Sequence, residues 1–88
     1  MTVEELAKSL GANITEVREK QKLIATIVKI RKSKQLSQAA LAKKLDISQA
    51  RVAQIESGLG TAKVTFDVLF NILTALGYDY RVVTTKVA

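Results

Sequence analysis

The 88-residue chain contains no cysteine, no histidine, no proline and no tryptophan. Without cysteine there are no disulfides, thiol nucleophiles or thiolate metal sites, and without histidine the usual neutral-pH base and commonest metal ligand are missing. A carboxylate pair or a lysine is all that remains for catalysis, and the eight acidic residues form no cluster suited to one concave site. We therefore expect no enzyme activity, no metal site and no cofactor.

Aromatic residues are also scarce, with two Phe and two Tyr in a chain that is 48% hydrophobic. The core should therefore be mostly aliphatic, and the length suits one small domain. No apolar run approaches the roughly 18–20 residues of a membrane span, and the beginning of the chain is acidic where a signal peptide would be basic. These features predict a globular cytoplasmic protein with no membrane association.

Positive charge exceeds negative charge by six, and the excess is concentrated in the middle of the chain. Residues 20–63 carry a net charge of +8, whereas residues 1–19 carry −2 and residues 64–88 are balanced. A basic surface of this kind favours a polyanionic partner such as nucleic acid. The alternative is a solvated basic face without a ligand.

Capping residues and apolar periodicity predict five helices. Thr2 with Glu5, and Asn13 with Glu16, each form a capping box, and Ser37, Ser48 and Thr65 are suitable N-caps. The apolar residues then recur at helical spacing. The predicted helices span about 2–11, 13–34, 38–45, 49–57 and 65–77.

The period changes after Gly77, and the β-branched and aromatic segment 78–85 predicts one strand. A lone strand leaves its backbone groups unpaired, so a second copy of the chain is the expected partner. In an antiparallel pair centred on Tyr80, Asp79 faces Arg81 of the second copy. A frayed or helix-packed tail is the alternative. The predicted dimer contacts are Tyr78, Asp79, Tyr80, Arg81 and Val82.

The segment from Leu36 to Gly58 has a specific spacing: Gln, then Leu-Ala, Leu, Ile-Ser-Gln, Val, Ile-Glu and Gly. It resembles the helix-turn-helix of the Xre/Cro/phage-repressor family, and the resemblance extends from about Leu23 to Leu76. It implies an all-α, five-helix fold like that of lambda repressor, to which the sequence adds a C-terminal β-strand that pairs across a dimer. The expected regions are an acidic helical extension (1–19), a DNA-binding domain (20–77) and a dimerisation strand with its tail (78–88).

Each matching position has a physical reason. Ala42 is small where the two helices of the motif should cross closest. Ile47, Val52 and Ile55 are expected to hold the second helix on the first, and Ser48 caps the second helix so that its N-terminal turn points outward. Asp46 stands where the family usually has glycine, and aspartate tolerates a left-handed backbone better than most residues.

The resemblance implies that the exposed start of the second helix contacts bases in the major groove. Glutamine can bond an adenine edge, arginine a guanine edge, and alanine a thymine methyl group. An ordinary solvated side chain is the alternative for each residue alone. The expected base contacts are Gln49, Ala50, Arg51 and Gln54.

The family also implies phosphate contacts and one ion pair. Gln38 resembles the glutamine that contacts phosphate and braces the first residue of the recognition helix, here Gln49. Arg31 and Glu56 resemble the partly buried pair that ties the first helix of the fold to the recognition helix. The expected phosphate contacts are Gln38, Ser48, Lys43, Gly60, Thr61 and Lys63.

Together these features predict a dimeric transcriptional repressor that binds a pseudopalindromic double-stranded DNA site. The small size and the Ala-Leu-Gly-Tyr-Asp-Tyr-Arg-Val-Val segment resemble HigA- and HipB-like antitoxins, which repress their own operon and neutralise a toxin. The acidic segment 1–19 would then suit a small basic toxin. The alternatives are a phage Cro-like or restriction-controller regulator without a toxin, and a protein-interaction module on the same fold.

Overall fold

The computed structural model describes residues 14–80, and the regular secondary structure in this part of the chain is helical. It contains four α-helices and one short 3-10 turn, with no strand in residues 14–80. The helix predicted near residues 2–11 lies outside the described residues. The helices are α1 (Ile14–Ser33), α2 (Gln38–Leu45), α3 (Gln49–Glu56) and α4 (Phe66–Ala75), and the 3-10 turn (Thr61–Lys63) precedes α4.

The longest helix, α1, packs against α3, the 3-10 turn and α4. It runs without a break through the expected boundary between residues 19 and 20, and it buries Val17 as well as Ile24 and Ile27. Residues 14–19 therefore belong to the same helix as the core. The helix ends where Gln35 adopts a left-handed backbone (φ 57°), and the Leu36 N–H donates to the Arg31 carbonyl at 3.1 Å.

The core is aliphatic, as the scarcity of aromatic residues predicts. Helices α1 to α4 and Val64, which follows the 3-10 turn, all contribute to one buried cluster. Each fully buried Val, Leu or Ile side chain stabilises the fold by roughly 1.5–3 kcal/mol. The cluster consists of Ile24, Ile27, Leu41, Ala42, Val52, Ile55, Val64, Leu69, Ile72, Leu73 and Leu76.

One apolar residue of the motif is less buried than expected. Ile47 is not part of the buried core, because 37% of the residue is exposed. It directly follows the left-handed residue Asp46, at a point where the chain leaves α2 and turns away from the core. In α2, Leu41 and Ala42 are buried and Ala39 is exposed. The helix therefore packs on the core through Leu41 and Ala42.

The C-terminal part of the described chain differs from the predicted strand. Helix α4 ends at Ala75, and the chain then turns at Gly77 (φ 89°), where the Tyr78 N–H donates to the Leu73 carbonyl at 3.0 Å. Tyr78, Asp79 and Tyr80 have no regular secondary structure. Residues 14–80 offer no strand with which they could form a ladder, and Tyr80 stacks on Phe70 with ring centroids 3.6 Å apart. The remaining predicted strand residues, including Arg81 and Val82, lie outside the described residues.

Within residues 14–80, no helix combines the length and the apolar composition needed to cross a membrane.

Candidate nucleic-acid interface

Two short helices joined by a tight turn form the centre of the site. The hydroxyl oxygen of Ser37 caps α2 by accepting a hydrogen bond from the Ala40 N–H at 3.0 Å. Asp46 ends α2 in the left-handed conformation (φ 57°, ψ 44°), as expected for a residue that replaces glycine there. The Ile47 N–H then donates to the Ala42 carbonyl at 3.0 Å, which closes the turn. Only three residues therefore separate α2 from α3.

Helix α3 begins at a side-chain cap and presents a polar surface to solvent. The Ser48 hydroxyl oxygen accepts from the Arg51 N–H at 3.1 Å, and Val52 and Ile55 anchor the opposite side in the core. The N-terminus of a helix carries a partial positive charge, which favours an anionic partner. Of the four expected base-contact residues, Gln49, Ala50 and Gln54 are exposed and Arg51 is partly exposed. The fold thus brings all four to one accessible surface.

A buried ion pair fixes the other end of α3. Arg31 of α1 meets Glu56, the last residue of α3, in a two-pronged contact: Nε donates to Oε2 at 2.7 Å and Nη2 to Oε1 at 2.8 Å. The Arg31 and Glu56 side chains are only 10% and 7% exposed. A third guanidinium nitrogen, Nη1, donates to the Leu36 carbonyl at 2.8 Å. One arginine therefore connects α1, the segment before α2, and α3.

The ion pair changes the protonation equilibria of both partners. Burial by itself raises the pKa of Glu56, but the hydrogen bonds from Arg31 and Gln38 and the charges of Arg31 and Lys32 outweigh it. The pKa of Glu56 is therefore below its ordinary value. The hydrogen bond to Glu56 raises the pKa of Arg31 further, against the opposing effect of burial. Both groups are charged at neutral pH.

The Gln38 side chain bonds Glu56 and not Gln49, the residue that the family resemblance implied. Its amide nitrogen donates to Glu56 Oε1 at 3.0 Å, and within residues 14–80 it makes no hydrogen bond to Gln49. The side chain is half-buried at the start of α2. Gln38 thus adds a third hydrogen bond to the Glu56 carboxylate and links α2 to the C-terminal end of α3.

The expected phosphate contacts fall into two groups. The side chains of Lys43, Ser48 and Lys63 are exposed, and Gly60 is an exposed residue with a left-handed backbone (φ 73°). Thr61 is different, because it is only 4% exposed and its hydroxyl donates to the Gly58 carbonyl. The Thr61 hydroxyl therefore bonds within the loop rather than facing solvent.

One contact on the exposed surface was not predicted from the sequence. Arg51 Nη1 donates to Gln54 Oε1 at 3.0 Å, so two of the expected base-contact side chains bond each other. The sequence spacing could have predicted this contact, because residues three apart on a helix are neighbours on its surface.

In the described part of the chain, no group of acidic residues is arranged to hold a metal ion.

Comparison with known proteins agrees with this geometry. A family model described as helix-turn-helix matches residues 27–83, which include α2, the turn and α3. The chain belongs to this helix-turn-helix family. The match supports a DNA-binding transcription regulator. No curated protein and no solved structure matched the chain.

The buried ion pair of the helix-turn-helix domain predicts a specific acid sensitivity. Because the pKa of Glu56 is lower in the folded protein than in the unfolded chain, its stabilisation is fully present above its ordinary pKa and is lost as pH falls through the lowered value. Glu56→Gln should cost on the order of 3 kcal/mol at pH 7, because the buried Arg31 charge loses its counter-charge. Urea unfolding between pH 3 and pH 7 measures both effects.

Glu19→Gln is the matched control for Glu56→Gln. Glu19 pairs with Lys22 at 3.1 Å, but its side chain is 52% exposed, and exposed pairs contribute less than about 1 kcal/mol. The Glu56→Gln variant should also lose stability less steeply than the wild type as pH falls. Equal stabilities of the two variants at pH 7, or pH curves for Glu56→Gln parallel to those of the wild type, would contradict this account.

Proposed function

We propose that the protein is a sequence-specific transcriptional repressor that inserts α3 into the major groove of DNA. The observation that carries the proposal is the capped, outward N-terminus of α3, which carries three exposed side chains and the partly exposed Arg51. These side chains combine hydrogen-bond donors, acceptors and a methyl group, which are the groups that distinguish base edges in that groove. The proposed base contacts are Gln49, Ala50, Arg51 and Gln54.

Phosphate contacts on both sides of α3 would supply most of the affinity. Lys43 on α2 and Lys63 after the loop are exposed, and Ser48 and Gly60 lie at the beginning of α3 and in the loop that follows it. Such contacts fix the register of the protein on the duplex without reading sequence. Asp46, an exposed acid in the turn itself, opposes this attraction.

We further propose that the protein acts as a homodimer on a pseudopalindromic operator. Two copies of α3 would then occupy successive major grooves about 34–36 Å apart. Support comes from the strand-like sequence of residues 78–82 and from the exposure of Tyr78 and Tyr80, which are 46% and 47% accessible. Pairing with a second copy would give this segment a strand partner, which residues 14–80 do not contain.

The finer assignment is an antitoxin that represses its own operon. It is supported by the resemblance of the C-terminal segment to HigA- and HipB-like antitoxins and by the acidic residues 1–19, which suit a small basic toxin. A Cro-like or restriction-controller regulator would have no such partner. Co-purification of a small basic protein with the chain separates the two.

The DNA-binding proposal is tested by fluorescence anisotropy with the duplex upstream of the protein's own gene and a shuffled duplex. The wild type should prefer the first by roughly a thousandfold or more. Arg51→Ala should reduce that preference roughly 5- to 150-fold, because one bidentate base contact is lost. Lys63→Ala should weaken binding to both duplexes alike and lower the salt slope by about one, as expected for one phosphate contact.

Lys22→Ala is the control, since Lys22 is an exposed lysine on α1 that pairs with Glu19 at 3.1 Å. It should leave both affinities and the preference unchanged. If Arg51→Ala weakened binding to operator and shuffled DNA by the same factor, as Lys63→Ala should, the base-contact role of Arg51 would be wrong. A protein-interaction module would show only weak, sequence-blind binding in the wild type itself.

The dimer proposal is tested by exchanging charges. With the two-fold axis at Tyr80, Asp79→Arg alone would place like charges opposite each other twice, whereas Asp79→Arg with Arg81→Asp restores both opposite pairs. The single variant should weaken the dimer about tenfold and the double variant should recover it. Sedimentation equilibrium measures both dissociation constants. Identical dimer affinities for the wild type and both variants would rule out this strand register.

A further inference from the structure

The middle of α1 forms an apolar groove with the C-terminal end of α3 and the residues that follow it. The Glu56 carboxylate in this groove already accepts hydrogen bonds from Arg31 and Gln38, so its charge is compensated. The groove has a volume of about 370 Å³, and an apolar cavity of about 150 Å³ already holds a molecule as large as benzene. It therefore has room for a branched aliphatic side chain. The residues that line it are Gln21, Ile24, Ala25, Val28, Glu56 and Gly58.

Leu59 projects from the protein directly beside this groove. It is 74% exposed, which is the largest value among the exposed large hydrophobic residues of the described part of the chain. Its N–H donates to Ser57 Oγ at 3.2 Å, and the glycines on either side of it, Gly58 and Gly60, are both left-handed (φ 78° and 73°). The Leu59 side chain does not line the groove of its own chain. The loop thus presents an apolar side chain on an ordered backbone, which lowers the entropy lost on binding.

We propose that Leu59 of a second copy occupies the groove, while Leu59 of the first copy occupies the groove of the second. A projection and a groove that lie side by side on one surface are suited to a two-fold contact, because each copy supplies both halves. Any other protein would have to bring an apolar side chain of its own, whereas a second copy carries one next to the groove. We call this arrangement the groove contact. It is separate from the strand pairing proposed for residues 78–82 and depends neither on that pairing nor on DNA reading.

The groove contact leaves the DNA-reading surface of α3 open. Glu56 and Gly58 border the groove at the C-terminal end of α3, whereas the proposed base contacts begin at its N-terminal turn. Two leucine side chains bury much less than the roughly 1,000 Å² of a stable interface, so the association is weak in dilute solution. It becomes effective at high local concentration, as between proteins bound to two adjacent operators. The groove contact would therefore link proteins that are already on DNA.

Disulfide trapping tests the groove contact, because the chain has no cysteine of its own. Full-length Leu59→Cys and Ala25→Cys proteins are mixed in equal amounts and oxidised slowly, and mass spectrometry identifies the linked pairs. Thr26→Cys replaces Ala25→Cys in the control mixture, since Thr26 is also exposed on α1 but does not line the groove. The disulfide between positions 59 and 25 should form roughly fivefold faster than that between 59 and 26, because the two Cβ atoms must come within about 4.5 Å.

A charge exchange provides the second measurement. Leu59→Lys or Ala25→Glu alone should weaken self-association roughly tenfold, because each places an unpaired charge in an apolar contact twice. An equimolar mixture of the two variants should recover it, because one contact then joins opposite charges and the other keeps leucine against alanine. Sedimentation velocity at high protein concentration measures the association. Residues 78–82 are identical in every sample, so strand pairing does not account for a difference, and circular dichroism verifies that each variant is folded.

Three results would overturn the inference. The first is an equal rate of disulfide formation with Ala25→Cys and Thr26→Cys, which would show that a second copy does not occupy the groove. The second is a predominance of pairs linked through position 59 in both copies, which would show the two Leu59 side chains against each other. The third is wild-type association of Leu59→Lys or Ala25→Glu alone. The DNA-reading role of α3 is tested separately by the duplex-binding assay, so its failure and that of the groove contact are distinguishable.

Discussion

The placement of α3 depends on the buried contact between Arg31 and Glu56. Glu56 accepts two hydrogen bonds from Arg31 and a third from Gln38, and Arg31 also donates to the Leu36 carbonyl. These bonds join α1, the start of α2 and the end of α3 at one point. Replacing such a pair with apolar residues is often neutral for stability, whereas removing one partner is costly. Its value here is positional, because bidentate geometry allows little freedom of orientation.

With its C-terminal end fixed, α3 can leave its N-terminal end open to a ligand. Val52 and Ile55 hold the helix in the core, and Ser48 satisfies a backbone N–H that would otherwise lack a partner. The exposed residues between these anchors contribute little to stability. Substitutions at these exposed positions should therefore leave the fold intact.

Much of this arrangement was predictable because it depends on local rules. Caps at Ser37, Ser48 and Thr65 fixed the starts of three helices, and aspartate tolerates the left-handed turn at position 46. The features that escaped prediction depend on where a side chain points after the chain turns. Ile47 is as hydrophobic as Ile55, yet the turn at Asp46 leaves it exposed.

Thr61 is a second residue whose side-chain direction the sequence did not predict, and here the side chain is buried rather than exposed. A threonine in a glycine-rich basic loop suggests a phosphate contact, but its hydroxyl is turned inward to the Gly58 carbonyl. Gln38 similarly donates to the Glu56 carboxylate, a contact that the family resemblance did not imply. In both cases the polar side chain makes a hydrogen bond within the protein, because a buried polar group without a hydrogen-bond partner is destabilising.

The most direct test of the account is a nuclear magnetic resonance titration of the ¹⁵N-labelled protein with its operator duplex. If α3 is the reading helix, the largest amide shift changes should fall in residues 48–54 and in the loop 60–63. The α1 residues 21–28 should change little. Large changes confined to α1 or α4, with residues 48–54 unaffected by saturating operator DNA, would contradict the account.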